Sequence, residues 1–227
     1  MPAASRRLAS FKAAAELQRH LDALGVADQL PVGDPDDVDA LRAPMKVLGD
    51  RTAGNRFCVQ PMEGWDGTLD GRPTDLVRRR WRAFGSSGAK LIWGGEAVAV
   101  VHEGRANPRQ LRIGEDTVDD LAALRQTLVD AHAERFGSTD DLVVGLQLTH
   151  SGRYCRPDPD AQPRPWTPLR HPVLDARLGR SGEDPVVSDE EIEQLVEQFV
   201  TAGVLAAEVG FHFVDIKHCH GYFLHEL

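Results

Sequence analysis

Near the start of the chain, apolar residues recur at helical spacing: Leu8, Phe11, Ala15, Leu17 and Leu21 mark a helix over roughly residues 5 to 24. Gly25 stands where such a helix would stop. Between Leu30 and Gly54 the pattern dissolves into a stretch rich in Pro, Gly and Asp, which reads as an irregular lead-in. Beyond it a strand–helix alternation sets in. Residues 57–60 form a short apolar strand, and Leu76, Val77, Arg80, Trp81 and Phe84 mark a helix, with Pro73 near its first turn and Gly85 beyond its end. Residues 90–93 are a second strand. The next helix opens at Thr117, with Asp120 in the place of a capping-box acid, carries Leu121, Leu124, Leu128 and Val129, and closes at Gly137. Residues 142–146 are apolar almost throughout, as a strand covered on both faces should be. Ser188 and Glu191 form a capping box ahead of Ile192, Leu195, Val196 and Phe199, the helix closes at Gly210, and residues 211–216 are a fourth strand.

Strands alternating with helices imply right-handed crossovers and a parallel sheet, which a doubly wound fold and a closed barrel both satisfy. The first strand is followed by Pro61-Met62-Glu63-Gly64, which cannot serve as a dinucleotide-binding G-x-G-x-x-G turn. Polar residues instead gather where the strands end: Glu63, then Glu96, then Gln147, His150 and Arg153, then Lys217, His218 and His220. Barrel enzymes collect their chemistry at that end. The expected architecture is therefore α/β, of the (β/α)8 barrel type, with about the first four βα units present in residues 41–227. Residues 1–40 form a helical extension and lead-in.

Composition narrows the function classes. With 41% hydrophobic and 27% charged residues, the 227-residue chain is that of an ordinary globular protein. A formal net charge of −9 argues against nucleic acid or an anionic membrane as partner. No apolar run approaches the roughly 20 residues that span a bilayer. The Ala- and Arg-rich N-terminus is interrupted by Glu16 and Asp22 and lacks a signal-peptide core, so a cytoplasmic location is the default expectation. Three cysteines, Cys58, Cys155 and Cys219, are too few and too odd a number for a disulfide framework.

The strand ends also carry a family resemblance. Asn55-Arg56-Phe57 leading to Pro61-Met62, then Gly95-Glu96-Ala97 with Gly104-Arg105 and Gln110-Leu111, then Gln147-Leu148-x-His150-Ser151-Gly152-Arg153, then Asp215-Ile216-Lys217-His218-Cys219-His220-Gly221-Tyr222 resemble, in order, the first four strands of the Old Yellow Enzyme family. The match runs from about residue 41 to the end of the chain, and four modest motifs in register make coincidence improbable.

The resemblance implies FMN at the C-terminal mouth of the barrel, with NAD(P)H as reductant and an α,β-unsaturated carbonyl or related small molecule as acceptor. It implies that backbone at Pro61, Met62 and Ala97, the flavin edge near Glu63, and the amide of Gln147 meet the ring. An amide suits the ring's alternating donors and acceptors. It further implies that Lys217 and His220 bind the substrate carbonyl oxygen and that Tyr222 supplies a proton. Two positions depart from the family pattern: Lys217 stands where His is usual, and Glu63 where Thr or Cys is usual.

Other readings compete. His218 and His220, at i and i+2 on a strand, could belong to a metal-dependent barrel hydrolase. His225 and Glu226, at the start of a following helix, read as solvated. The Pro-, Arg- and Asp-rich segment 156–185, with Trp166, is either a lid over the mouth or a mobile insertion. A four-strand half leaves two strand edges unpaired, so the chain is expected to need a missing half-barrel or a homo-oligomer partner, or else to be an inactive fragment.

Overall fold

The computed structural model describes residues 6–33, 38–180 and 186–227. The chain divides into two compact units, Met1–Ala43 and Pro44–Leu227. The first holds a 3-10 turn (Leu8–Ser10), helix α1 (Ala14–Leu24) and the single-turn α2 (Asp39–Arg42). The expected long helix is thus shorter, and of its expected residues only Ser5 lies outside the described ones. Glu16 accounts for the late start: its carboxylate accepts from the Lys12 amide at 3.1 Å and pairs with Arg6 at 3.0 Å, holding the chain outside the helix together. Gly25 ends α1 as expected, at φ 69°, which a glycine adopts without steric cost.

The second unit opens with an antiparallel hairpin, β1 (Met45–Leu48) and β2 (Arg51–Ala53), within the stretch expected to be irregular. The rest is a parallel sheet: β3 (Cys58–Val59), β4 (Leu91–Ile92), β5 (Ala97–Ala99), β6 (Val143–Thr149) and β7 (Phe213–Ile216). Both β4 and β5 lie along β6, with Ile92 beside Val144 and Ala97 beside Gln147. Five steps along one strand therefore match three along the other, so the second barrel strand is one strand carrying a two-residue bulge. Such bulges re-aim side chains beside functional sites. Side by side, the strand positions run β3, β4/β5, β6, β7, in chain order and without the reversal that marks a doubly wound sheet. The sheet is an open arc of a barrel.

Alternation along β6 assigns its two faces. Val144, Leu146 and Leu148 enter the main core with Leu121, Leu124 and Leu128 of α4 (Val118–Phe136) and Leu195 and Phe199 of α6 (Asp189–Glu208). Val143 faces the concave side, where Ala53 and Val47 of the hairpin pack with Leu91, Cys58 and Phe213. The hairpin thereby covers the N-terminal end of the arc and leaves the C-terminal end open.

One expected helix boundary and one expected capping box differ. Gly85 lies inside α3 (Asp75–Ser86), not beyond it. Its role is closeness: a Cβ there would sit 2.1 Å from the Leu128 carbonyl oxygen, so α3 and α4 touch backbone to backbone at this point. Thr117 precedes α4, but its hydroxyl donates to the Arg112 carbonyl at 2.8 Å, and Asp120 pairs with Arg72, so no capping box forms. At α6 the capping box of Ser188 and Glu191 is complete in both directions.

Candidate active site

The strand ends bring several of the expected residues together. Pro61 and Met62 follow β3, and the Met62 carbonyl accepts from the Ala97 amide at 2.8 Å. Gly94, in the bulge, allows this close approach, since a Cβ there would lie 2.8 Å from Pro61 Cβ and 3.0 Å from Gln147 Cβ. Ala97 also accepts from Gln110 Nε2 at 2.9 Å, so its amide and one carbonyl lone pair are engaged within the chain.

Gln147 lies within β6 rather than after it, on the concave face beside Ala97. It is 7% exposed, and its Nε2 donates to Asp215 Oδ2 at 2.6 Å. Asp215 and Lys217 alternate at the end of β7, so both reach the concave side.

Lys217 is buried, with its ammonium paired to Glu63 Oε1 and placed 4.4 Å above the Tyr222 ring centroid. The Tyr222 hydroxyl donates to Glu63 Oε2 at 2.9 Å, and Trp65 Nε1 donates to the same oxygen at 3.2 Å. Burial, then the charge of Glu63 and the bond to it, push the Tyr222 phenol well above its usual range. Glu63, Lys217 and Tyr222 therefore form one hydrogen-bonded unit. His220 is set apart: it is exposed, has φ 64°, and meets Tyr222 only edge-on, with ring centroids 6.0 Å apart. A cavity of about 340 Å³ lies here, lined by Trp65, Ala106, Tyr154, Arg156, His220 and Tyr222.

Other residues grouped with the mouth by sequence have structural partners. Glu96 is 1% exposed and binds Arg80 at 2.6 Å and the Gly64 amide at 2.7 Å; burial pushes its carboxyl up and Arg80 pulls it back. His150 packs against Trp166 and edge-on against Phe223, and burial pushes it down to about 3. Arg153 is wholly buried between Asp175 and Glu226, so Glu226 is an ion-pair partner rather than a solvated residue. The segment after β6 contains the short helix α5 (Pro172–Arg177), and Trp166 anchors it on Phe223; residues 181–185 lie outside the described ones. His218 and His220 follow the end of β7, so the same-face argument for a metal pair does not apply to them.

Sequence reasoning missed Asp215, Trp65 and Tyr154. Asp215 had a signal, two residues before Lys217 on an alternating strand. Trp65 and Tyr154 are set by loop geometry that no periodicity encodes.

The model of the NADH:flavin oxidoreductase / NADH oxidase family matches residues 40–227. The chain belongs to this family. Among this family member's relatives, the NADPH dehydrogenase of Bacillus velezensis is 27% identical over 186 residues, covering 79% of this chain and 48% of that protein. The NADPH dehydrogenase of Bacillus subtilis is likewise 27% identical, over 184 residues. In solved structures the arc superimposes on Old Yellow Enzyme from Pichia sp. AKU4542 with a TM-score of 0.61 at 21% identity, covering 82% of this chain and 47% of that one. Morphinone reductase, solved in complex with tetrahydroNAD, gives 0.57 at 22% identity, covering 81% and 50%. These likenesses bear out the barrel-type fold. The family member spans about half the length of the relatives it matches.

Proposed function

We propose that the chain supplies the substrate-facing half of an FMN-dependent oxidoreductase that takes hydride from NAD(P)H and delivers it to an α,β-unsaturated carbonyl or related acceptor. The observation that carries the reading is the convergence of Glu63, Gln147, Lys217 and Tyr222 from three strand ends onto the open, concave mouth. A second half-barrel, from further polypeptide or another chain, completes the site. Ile216 on β7 and Val196, Val200 and Val204 on α6 are all exposed apolar residues available to pack against it. Among the described residues no helix is long and apolar enough to cross a membrane. We assign the protein to the cytoplasm, a reading supported by its three free cysteines.

FMN fits the mouth at its ring end. Gln147 is buried, and its amide carbonyl has no hydrogen-bond partner among the described residues. Gln147 would hold the ring's polar edge, and Pro61, Met62 and Ala97 would pack against its face, Ala97 with only its second carbonyl lone pair left to offer. Bound FMN would supply hydride transfer. Lys217 and Tyr222 are the groups for charge and proton: an ammonium stabilises developing oxyanion charge, and a phenol can protonate the far more basic enolate carbon even with its own proton held tightly by burial. We read His220, exposed at the cavity wall, as a substrate contact separate from Lys217.

The test joins the chain to a second half-barrel, adds FMN and records the visible spectrum and NADPH oxidation. Stoichiometric flavin with NADPH-dependent reduction of an enone supports the reading. A protein that assembles yet binds no flavin overturns it. Tyr222→Phe should slow flavin reoxidation by the enone while leaving reduction by NADPH nearly intact.

A further inference from the structure

The cavity beside Tyr222 joins aromatic walls to one guanidinium. Trp65, Tyr154 and Tyr222 present rings to it, His220 an imidazole, and Arg156 its cationic fork. At about 340 Å³ it suits a small, flat ligand. Arg156 is exposed and pairs with no carboxylate among the described residues; its side chain donates from Nη1 to the Ala161 carbonyl at 3.1 Å. The acids that follow it are taken. Asp158 pairs with His102 and Arg164, each at 3.3 Å, and Asp160 pairs with Arg164 at 2.9 Å. Glu63 lies outside the cavity wall and is bound by Lys217.

The backbone holds the guanidinium at that wall. The Arg156 amide donates to the Arg105 carbonyl and the Arg164 amide to the Cys155 carbonyl, both at 2.8 Å, which pins the chain on either side. Ala161 takes φ 51°, uncommon for a residue with a Cβ, in a turn closed by its amide on the Asp158 carbonyl at 2.8 Å. That turn aims the Ala161 carbonyl at Nη1. The remaining N–H groups of the fork match the two oxygens of a carboxylate.

We propose that Arg156 is a specificity-determining residue: it binds a carboxylate on the acceptor, so that the mouth takes unsaturated carbonyl compounds bearing a carboxylate ahead of neutral ones. This deepens the proposed function and rests on it. The carbonyl oxygen belongs at Lys217 and Tyr222, the carboxylate at Arg156, and the aromatic walls hold the flat body between. Burial divides the two cations. Lys217 is 5% exposed and already bound to Glu63, whereas Arg156 stands in the open cavity, where a dissolved anion can reach it.

Calorimetry on the assembled barrel before FMN is added, with benzoate and its neutral isostere benzamide, reads the anion subsite alone. The parent should bind benzoate about fivefold or more tightly than benzamide. Arg156→Gln should erase the difference, and Arg156→Lys, which keeps the charge without the planar fork, should restore part of it. Equal or undetectable binding of the two by the parent overturns the proposal. So does a benzoate preference that survives Arg156→Gln, which would place the anion on another cation. With FMN bound, the ratio of kcat/KM for 4-carboxybenzylideneacetone to that for its methyl ester should fall at least about fivefold in Arg156→Gln. An unchanged ratio sinks this inference and leaves the proposed function standing. A barrel that binds benzoate through Arg156 yet takes up no flavin supports the anion site and counts against the proposed function.

Discussion

The guanidinium of Arg153 spreads across the carboxylate of Glu226, Nε to Oε1 at 2.6 Å and Nη2 to Oε2 at 3.1 Å, with the two side chains 0% and 7% exposed. This fork joins the turn after β6 to α7 (Phe223–Glu226), the helix that follows the β7 loop. It thus fixes the loop carrying Lys217 and Tyr222 from behind. Glu226→Gln weakens the fork but leaves Arg153 paired with Asp175, so it should cost about 1.5–3 kcal/mol, the worth of hydrogen bonds to a charged group. Urea denaturation of the variant measures the loss; a change within experimental scatter would place the pair in water.

A second expectation concerns the α3–α4 contact. Gly85→Ala places a methyl 2.1 Å from the Leu128 carbonyl oxygen, which is backbone and cannot swing aside. The gain in helix propensity is about 1 kcal/mol. Overpacking costs about 1–3 kcal/mol and should win. A lowered thermal midpoint is the expected result, and an increase would show that the helices can separate freely.

His150 gives the protein an acid liability. Burial pushes its imidazole down to about 3, whereas in the unfolded chain it titrates near its ordinary value of 6.5. Between those values the unfolded state binds the extra proton, so stability is complete above the upper one and falls as pH drops toward the lower. The slope is about 1.4 kcal/mol per pH unit. His150→Asn keeps an acceptor for the Gly152 amide, which His150 Nδ1 now binds at 3.1 Å, and does not titrate. Its stability should lose that part of the pH dependence. Parallel curves for the two proteins would refute the assignment.

Gln147 provides the cofactor test. In an assembled barrel, Gln147→Leu should weaken FMN binding by about 1–3 kcal/mol, the cost of leaving polar ring atoms unpaired. The same change frees Asp215, so Asp215→Asn serves as control. Flavin affinity unchanged in Gln147→Leu but reduced in Asp215→Asn would move the ring contact from the amide to the carboxylate.

The barrel order was readable because each helix stripe and apolar strand keeps its own period, and because Ser188 with Glu191 and the glycine at 25 are local devices. The hairpin was encoded as well: Gly49-Asp50 is a tight-turn dipeptide between short alternating runs, but Pro- and Asp-rich neighbours mask it. The second strand hid its continuation because Gly94 and Gly95 look like a strand end when only one strand is in view. Lys217 was legible as a site residue from its place beyond the fourth strand. Its partner was not: Glu63 lies 154 residues away, and only the folded arc brings the two strand ends within reach. Arg153 and Glu96 misled in the other direction, since a charged residue at a strand end looks the same in sequence whether it faces substrate or a buried counter-ion.

The bulge in the second strand governs which changes of length the mouth can survive. Its surplus is even, so Ala97 remains in phase with Leu91 and shares the concave face with Gln147. Losing one residue between Ile92 and Ala97 would invert every side chain that follows, sending Val98 from the core into the mouth and Ala97 into the helix layer. Losing two would keep the phase while straightening the strand, and would remove the slack that lets Glu96 turn back to Arg80. Insertions and deletions in this stretch should therefore be tolerated by parity first and by length second.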